Sequence, residues 1–332
     1  MYVTVIPVVL FWLYQSLRMR DLAFFTQINP GLYMGGMYGT SKLEINKNLP
    51  NALLPLTSLI ELDTLDSSTV LHRMKQLAIS FPIILKPDVG ERGLNVFKID
   101  DQEELETAIP AFQSDALLQE YVDYPLEISV LCYSMPRSNE SGVTSVCVKE
   151  FLSVHGNGTD TLGQLIDNKP RALLQKERLS RFFDMNRIPD DRETVLLEHI
   201  GNHNRGTKFQ NATNVDRTAL GKVFIPLLEQ MDGVTFGRFD VRARSMEDLQ
   251  LGNHFRVLEF NGVNSEPVHI YDPEYPVWKA YRDFWNQWSL LRKIAVEQKK
   301  LGINSQPTGV TYNAFRDYWK YKTASQKAAQ RI

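Results

Sequence analysis

Phe81-Pro-Ile-Ile-Leu-Lys86-Pro87-Asp88-Val-Gly90-Glu-Arg92-Gly93 is a short apolar run that ends in a lysine and passes at once into a glycine-bearing turn. A run of this length bounded by turn residues reads as a buried strand over 81–86. Pro87 has no N–H to donate and stops the ladder. Gly90 and Gly93 carry no Cβ, so the backbone of the turn can approach an anion with its N–H groups pointing inward. Two readings stand: a lysine and its turn meeting a phosphate, or a tight hairpin with a surface lysine. The turn lacks Gly-Lys-Ser/Thr and is therefore not a Walker-type loop.

Three further segments bear on that choice. Leu118-Gln119-Glu120-Tyr121-Val122-Asp123-Tyr124-Pro125-Leu126-Glu127 reads as a strand running out into a short linker. Such a linker exposes backbone groups that can pair with a base edge while Glu120 or Glu127 accepts from ribose hydroxyls; the alternative is two surface acids beside a turn. Gly237-Arg238-Phe239-Asp240-Val241-Arg242 and Val257-Leu258-Glu259-Phe260-Asn261-Gly262 both alternate polar and apolar residues. Residues two apart share a strand face, so Arg238, Asp240 and Arg242 lie on one side, and Glu259 and Asn261 lie opposite Leu258 and Phe260, the expected core pair. If the strands are neighbours, Asp240, Glu259 and Asn261 converge as hard oxygen ligands. Magnesium suits that set, since it takes one or two carboxylates beside phosphate oxygens and water. Acids and arginines paired on a solvent-facing sheet are the other outcome.

Around these segments the pattern predicts a helix from residue 67, capped by Ser67 or Ser68, a strand over 94–99 and a helix over 101–112 with acids in its first turn. Strands over 116–119, 127–133 and 143–151 follow as an antiparallel sheet. Then come a glycine-rich loop at 155–160, a helix over 171–183, a strand over 194–199 and a helix over 216–231. Strands over 234–242 and 255–260 precede an aromatic, helical remainder. Residues 21–58 read as irregular connection around a short helix at 41–48.

Composition removes several function classes. The 332 residues, 43% hydrophobic, can bury a sizeable core, and 37 basic against 39 acidic residues supply no cationic field for nucleic acid. Cys132 and Cys147 lie in separate apolar runs without metal-like spacing, which points to buried thiols in a reducing cytoplasm. Residues 2–14 are almost wholly apolar and are followed by Arg18 and Arg20. That is short of the roughly 20 apolar residues of a membrane span, and the charges stand on the wrong side for a signal peptide. A buried first strand or helix, a shallow peripheral contact of residues 1–20 with the inner face of a membrane, and the remnant of a longer start all remain.

In this order the four segments resemble the ATP-grasp superfamily, and closely resemble its D-alanine:D-alanine ligase-like carboxylate-amine ligases, over residues 50–273. The resemblance implies an α+β fold in which two subdomains clamp ATP between antiparallel sheets. It makes Lys86 the nucleotide lysine beneath a loop of Gly90, Arg92 and Gly93. Glu120, Tyr121 and Val122 become the adenine hinge and Glu127 the ribose acid. Asp240, Glu259 and Asn261 become ligands of Mg2+ or Mn2+, Arg238 meets the phosphates, Lys149 reaches the terminal phosphate, and Lys42, in preference to Lys47, is a second nucleotide lysine. Residues 155–166 are similar to a loop and helix of cyanophycin synthetases.

Arg205, in a polar loop, is the candidate for orienting an acyl phosphate or carboxylate. Asn264, Ser265, Glu266 and His269 follow the metal strand, where a substrate pocket would lie, although His269 could equally be a packed core residue. The implied organisation is an N-terminal segment and linker over 1–49, a small subdomain over 50–122, a large subdomain with the metal site over 123–275 and a helical end over 276–332. Where such ligases usually carry a full Rossmann-like domain in front, only the short first segment stands here. The implied reaction activates a small-molecule carboxylate with ATP for attack by an amine; a small-molecule kinase or a non-catalytic, membrane-associated ATP-binding protein are the alternatives.

Overall fold

The computed structural model describes the backbone of residues 2–91, 93–201 and 203–329, and the chain divides into two compact units, Met1–Val148 with Asn211–Ile332, and Lys149–Gln210. The first unit opens with helix α1 (Tyr2–Met19). Residues 21–58, expected as irregular connection, contain short turns of 3-10 helix but thread through the interior: Phe24, Phe25 and Ile28 are core residues packed with Trp288, Leu291 and Ile294. Asn29, fully buried, fixes this thread. Its amide donates to the carbonyls of Gly35 and Phe236 and its oxygen accepts from the amides of Thr235 and Phe236, so every bond a side-chain amide commonly makes is used.

Helix α2 (Lys42–Asn46) follows, capped by Ser41. The smaller antiparallel sheet consists of β1 (Thr57–Ile60), β2 (Ile83–Pro87), β3 (Phe97–Ile99) and β4 (Ala116–Glu120) in the order β1-β4-β2-β3. Helices α3 (Ser67–Leu77) and α4 (Gln102–Ala108) supply Val70, Met74 and Leu105 to its core against Ile83, Leu85 and Leu118. Each such side chain contributes roughly 1.5–3 kcal/mol when fully buried. The cap of α3 is Asp66, not Ser67 or Ser68, because the helix already begins at Ser67 and the preceding carboxylate accepts from the Thr69 amide at 2.7 Å.

The larger sheet of this unit is built from β5 (Leu126–Ser134) and β6 (Ser141–Glu150), the strand on which the chain leaves for the second unit. In the second unit β7 (Ser153–His155), α5 (Leu162–Asp167), α6 (Pro170–Leu173), α7 (Lys176–Leu179) and β8 (Thr194–Leu196) enclose a small core of Leu152, Val154, Ile166, Leu179 and Val195. The helix expected over 171–183 is thus two separate short turns, and the strand expected over 194–199 ends at Leu196. Strand β9 (Lys208–Asn211) leads back. Helix α8 (Arg217–Gln230), capped by Asp216, packs Leu220 and Phe224 on the larger sheet, to which β10 (Phe236–Ala243) and β11 (Phe255–Asn261) belong, joined through the short helix α9 (Met246–Gln250). Within this unit the strands run in the order β11-β10-β5-β6. Helices α10 (Val277–Lys300) and α11 (Thr308–Ala329) close the chain.

Candidate functional site

The register of the larger sheet decides which polar side chains share a face. Asp240 of β10 stands opposite Glu259 of β11 and Ser129 of β5; Arg238 stands opposite Asn261, and Arg242 opposite Glu127. Residues directly opposite point to the same side of a sheet, so one polar face spans three strands while Phe239, Val241, Val257 and Phe260 fill the core behind it. The expected pairing of Leu258 with Phe260 in the core does not hold. The register slips between Asp240 and Val241, and this irregularity turns Val257, not Leu258, inward with Phe260.

Asp240 is 6% exposed and heavily engaged. The guanidinium of Arg238 grips it through Nε and Nη2, each at 3.0 Å, the amide of Asn261 donates at 3.3 Å, and the hydroxyl of Ser129 donates as well. Burial works against the Arg238 charge, but Asp240, by charge and hydrogen bonds, and then Glu259 and Glu266, raise its pKa above the ordinary arginine value. Glu259 is the more open carboxylate, with 31% of its side chain exposed, and lies 3.8 Å from the ammonium of Lys42.

Lys86 and Lys42 reach this face from the other side of a shallow cleft. The Lys86 ammonium donates to Gln119 Oε1 at 3.0 Å and, across the cleft, to the Leu258 carbonyl at 3.2 Å. Burial lowers its pKa to about 8, with Lys42 adding to the fall and Glu259 and Asp88 opposing it. Lys42 donates to the carbonyls of Gly90 at 2.8 Å and Asp88 at 3.3 Å, tying α2 to the glycine turn. Asp88 in turn accepts from the Leu43 amide at the start of α2. Gly93 sits at φ +67°, in the left-handed region, whereas a Cβ on Gly90 would meet nothing closer than 3.5 Å. Arg92 lies outside the described residues. Helix α11 holds the turn from outside, Tyr321 donating to the Val89 carbonyl at 2.7 Å and Lys322 lying 3.5 Å from Glu91.

The floor of the cleft is a close crossing of two segments of the chain. Gly36 and Gly262 touch there, since a Cβ on Gly36 would fall 2.7 Å from the Gly262 Cα, and the amides of Val263 and Asn264 donate to the carbonyls of Gly35 and Gly36. Asn264 lines the cleft, and its amide oxygen is buried without a hydrogen-bond partner among the described residues. Two facing carboxylates and this orphaned oxygen fit a hard divalent cation that keeps phosphate and water ligands; they do not make an all-protein cage, and no group of three or more His, Cys, Asp or Glu ligands occurs among the described residues.

The residues expected to form the hinge are held locally. The Glu120 carboxylate accepts from the Leu56 amide, the Val122 carbonyl accepts from Arg242 at 2.7 Å, and the Tyr121 ring has Arg242 and Lys98 within 5.4 Å of its centroid. Glu127 is buried in an ion pair with Arg242 at 3.1 Å. Lys149 and Arg205 belong to the second unit, where Lys149 lies 5.9 Å from the Phe209 ring centroid and Arg205 lies 3.8 Å from Glu198. Burial lowers the pKa of Arg205, Glu198 opposing and nearby Arg178 assisting. His269 is packed, between the Ser145 hydroxyl at 2.7 Å and Asp283 at 3.1 Å. Sequence reasoning passed over Ser129, Gln119 and Asp88. A lone serine in the run Leu126-Glu-Ile-Ser-Val-Leu was the only visible signal for the first.

Residues 51–134 match the model of the RimK-like ATP-grasp domain, and no curated protein matches the chain in sequence. Among solved structures the chain is similar to a bifunctional glutathione synthetase from Pasteurella multocida (16% identity, 75% of this chain and 36% of that one, TM-score 0.40). It is also similar to VanG D-Ala:D-Ser ligase from Enterococcus faecalis (11%, 82% and 64%, TM-score 0.45) and to D-alanine--D-alanine ligase from Bacillus anthracis (12%, 81% and 72%, TM-score 0.46). The chain thus spans less than two thirds of the first two of these proteins. The smaller sheet and its glycine turn lie inside the segment that matches the RimK-like ATP-grasp domain.

Proposed function

We propose that this chain is an ATP-dependent ligase that activates a carboxylate as an acyl phosphate for attack by an amine, in the cleft between the smaller and the larger antiparallel sheet of its first unit. The observation that carries the reading is the cross-strand pair Asp240 and Glu259, set beside the ammonium groups of Lys42 and Lys86. A substrate carboxylate oxygen attacks the terminal phosphorus of ATP, and the bond to the ADP oxygen breaks with its electrons leaving on ADP. The amine nitrogen then attacks the acyl carbon, inorganic phosphate departs, and the nitrogen gives up its proton.

Little of this is covalent work for the protein. Lys86 and Arg238 stand where charge on the phosphates must be neutralised, and Lys42 links that charge to the glycine turn. Asp240, Glu259 and Asn261 would hold Mg2+ or Mn2+, which supplies further neutralisation of the phosphates when bound. The turn at Gly90 and Gly93, tethered by α11, would exclude water that otherwise hydrolyses the acyl phosphate. We assign the base and ribose to Glu120, Tyr121, Val122 and Glu127, the terminal phosphate to Lys149 and the acyl phosphate to Arg205. The small and large subdomains, 50–122 and 123–275, are the two sides of the cleft. Cys132 and Cys147, both buried and outside any disulfide, suit a reducing cytoplasm.

The test is release of ADP by the purified chain with magnesium, against pools of carboxylates and amines that include amino acids and short peptides. Release that needs both a carboxylate and an amine, and that Lys86→Ala and Glu259→Ala abolish while circular dichroism is unchanged, is the expected result. A stable phosphorylated product formed without amine would replace the ligase with a kinase, and ATP binding without turnover in any pool would refute both.

A further inference from the structure

Helix α1 is apolar on both sides: Val8, Phe11, Trp12 and Met19 pack inward beside two polar residues, while leucines stay outside. A surface helix normally turns its apolar stripe inward and its polar residues outward. In α1, Gln15 and Ser16 are 1% exposed, whereas Leu10 is 56%, Leu13 38% and Leu17 76% exposed. The buried polar side is poorly satisfied: Trp12 Nε1, Gln15 Oε1, Ser16 Oγ and, from α10, Arg292 Nε have no hydrogen-bond partner among the described residues. Water on the outer side makes the exposed leucines costly, and the unpaired polar atoms within add a cost whatever lies outside. An apolar medium outside removes the first cost, as on lipid-facing helices, whose outer surface is apolar.

The neighbouring helix extends the same surface. Phe11 and Tyr14 meet Trp285 with ring centroids 5.4 and 5.2 Å apart, and Gln15 donates to Ser289, so α1 runs parallel to α10. Trp285 is 39% exposed and Trp278, two turns earlier on α10, is 63% exposed with Lys279 and Arg282 beside its ring. Arg18 and Arg20 stand at the other end of α1. An apolar strip bounded at both ends by cations and carrying tryptophan and tyrosine matches the boundary between acyl chains and anionic headgroups. No helix among the described residues is long and apolar enough to cross a membrane, so the strip lies along the surface.

We propose that the outer face of α1, with Trp278 and Trp285 of α10, docks on a bilayer surface bearing anionic lipid. The occupant is lipid rather than protein because the cations flank the apolar strip as headgroup partners. The test is co-sedimentation of the full chain with vesicles of phosphatidylcholine containing phosphatidylglycerol, against vesicles of phosphatidylcholine alone. Partition into the anionic vesicles is expected, weakened about tenfold or more by Leu10→Asn with Leu17→Asn and weakened again by salt. Both leucines are exposed, so the thermal midpoint of the double variant should match the parent, which separates lost docking from lost folding. The proposal fails if the parent chain ignores both vesicles, if the double variant partitions equally well, or if the parent is a dimer that the same changes dissociate, which would assign the strip to a second copy.

Discussion

Replacing Lys86 by methionine should separate what this lysine costs the empty protein from what it does for the bound one. The ammonium is buried, and burial brings its pKa from the ordinary 10.5 down to about 8. An unfolded chain therefore holds this proton more tightly than the folded one, so stability rises with pH between the two values and the whole penalty is carried below about pH 8. A fall of that size corresponds to about 3 kcal/mol at neutral pH and to about 1.4 kcal/mol near pH 9.5. Methionine removes the penalty but leaves Gln119 Oε1 and the Leu258 carbonyl without their donor, at roughly 1–3 kcal/mol each, so the variant should lie close to the parent at pH 7. Urea unfolding of both proteins at about pH 7 and about pH 9.5 should then show the parent gaining about 2 kcal/mol on the variant as pH rises. A polyphosphate beside Lys86 favours its charged form, so ATP with magnesium at a hundredfold excess over its dissociation constant should stabilise the parent by about 2.7 kcal/mol and the variant far less. A difference between the two proteins that does not move with pH would refute the burial argument. Equal stabilisation of both by nucleotide would remove Lys86 from the site.

The two carboxylates should part company. Asp240→Asn leaves the buried Arg238 guanidinium without its counter-charge and should cost about 3–5 kcal/mol in chemical denaturation, whereas Glu259→Gln, with 31% of its side chain open, should change stability by less than about 1 kcal/mol while removing magnesium-dependent ADP release. Asn29→Ala abandons the amides of Thr235 and Phe236 and two carbonyls, and loss of at least about 3 kcal/mol by urea unfolding is expected. Arg242→Met strands the buried Glu127 carboxylate and should lower the thermal midpoint by an amount equivalent to about 3 kcal/mol; an unchanged midpoint would mean that the pair is not held in solution.

Much of the chemistry could be read before the fold was known, because it is carried by local pattern. Period-two alternation put Arg238, Asp240 and Arg242 on one face, and the proline and glycines after Lys86 marked the end of a strand and a turn. The acidic caps of α4 and α8 obey the same short-range rules. Register does not. That Asp240 faces both Glu259 and Ser129, that Arg242 pairs with Glu127, and that Leu258 yields its core place to Val257 follow from how three strands are aligned, the first of them far from the other two in sequence, and one step of register reverses every side chain. The apolar start was visible as composition, but composition cannot say which side of a helix is covered. Packing of α1 along α10 decided that Gln15 and Ser16 lie inside and the leucines outside, since an evenly apolar helix has no stripe of its own to choose its buried side.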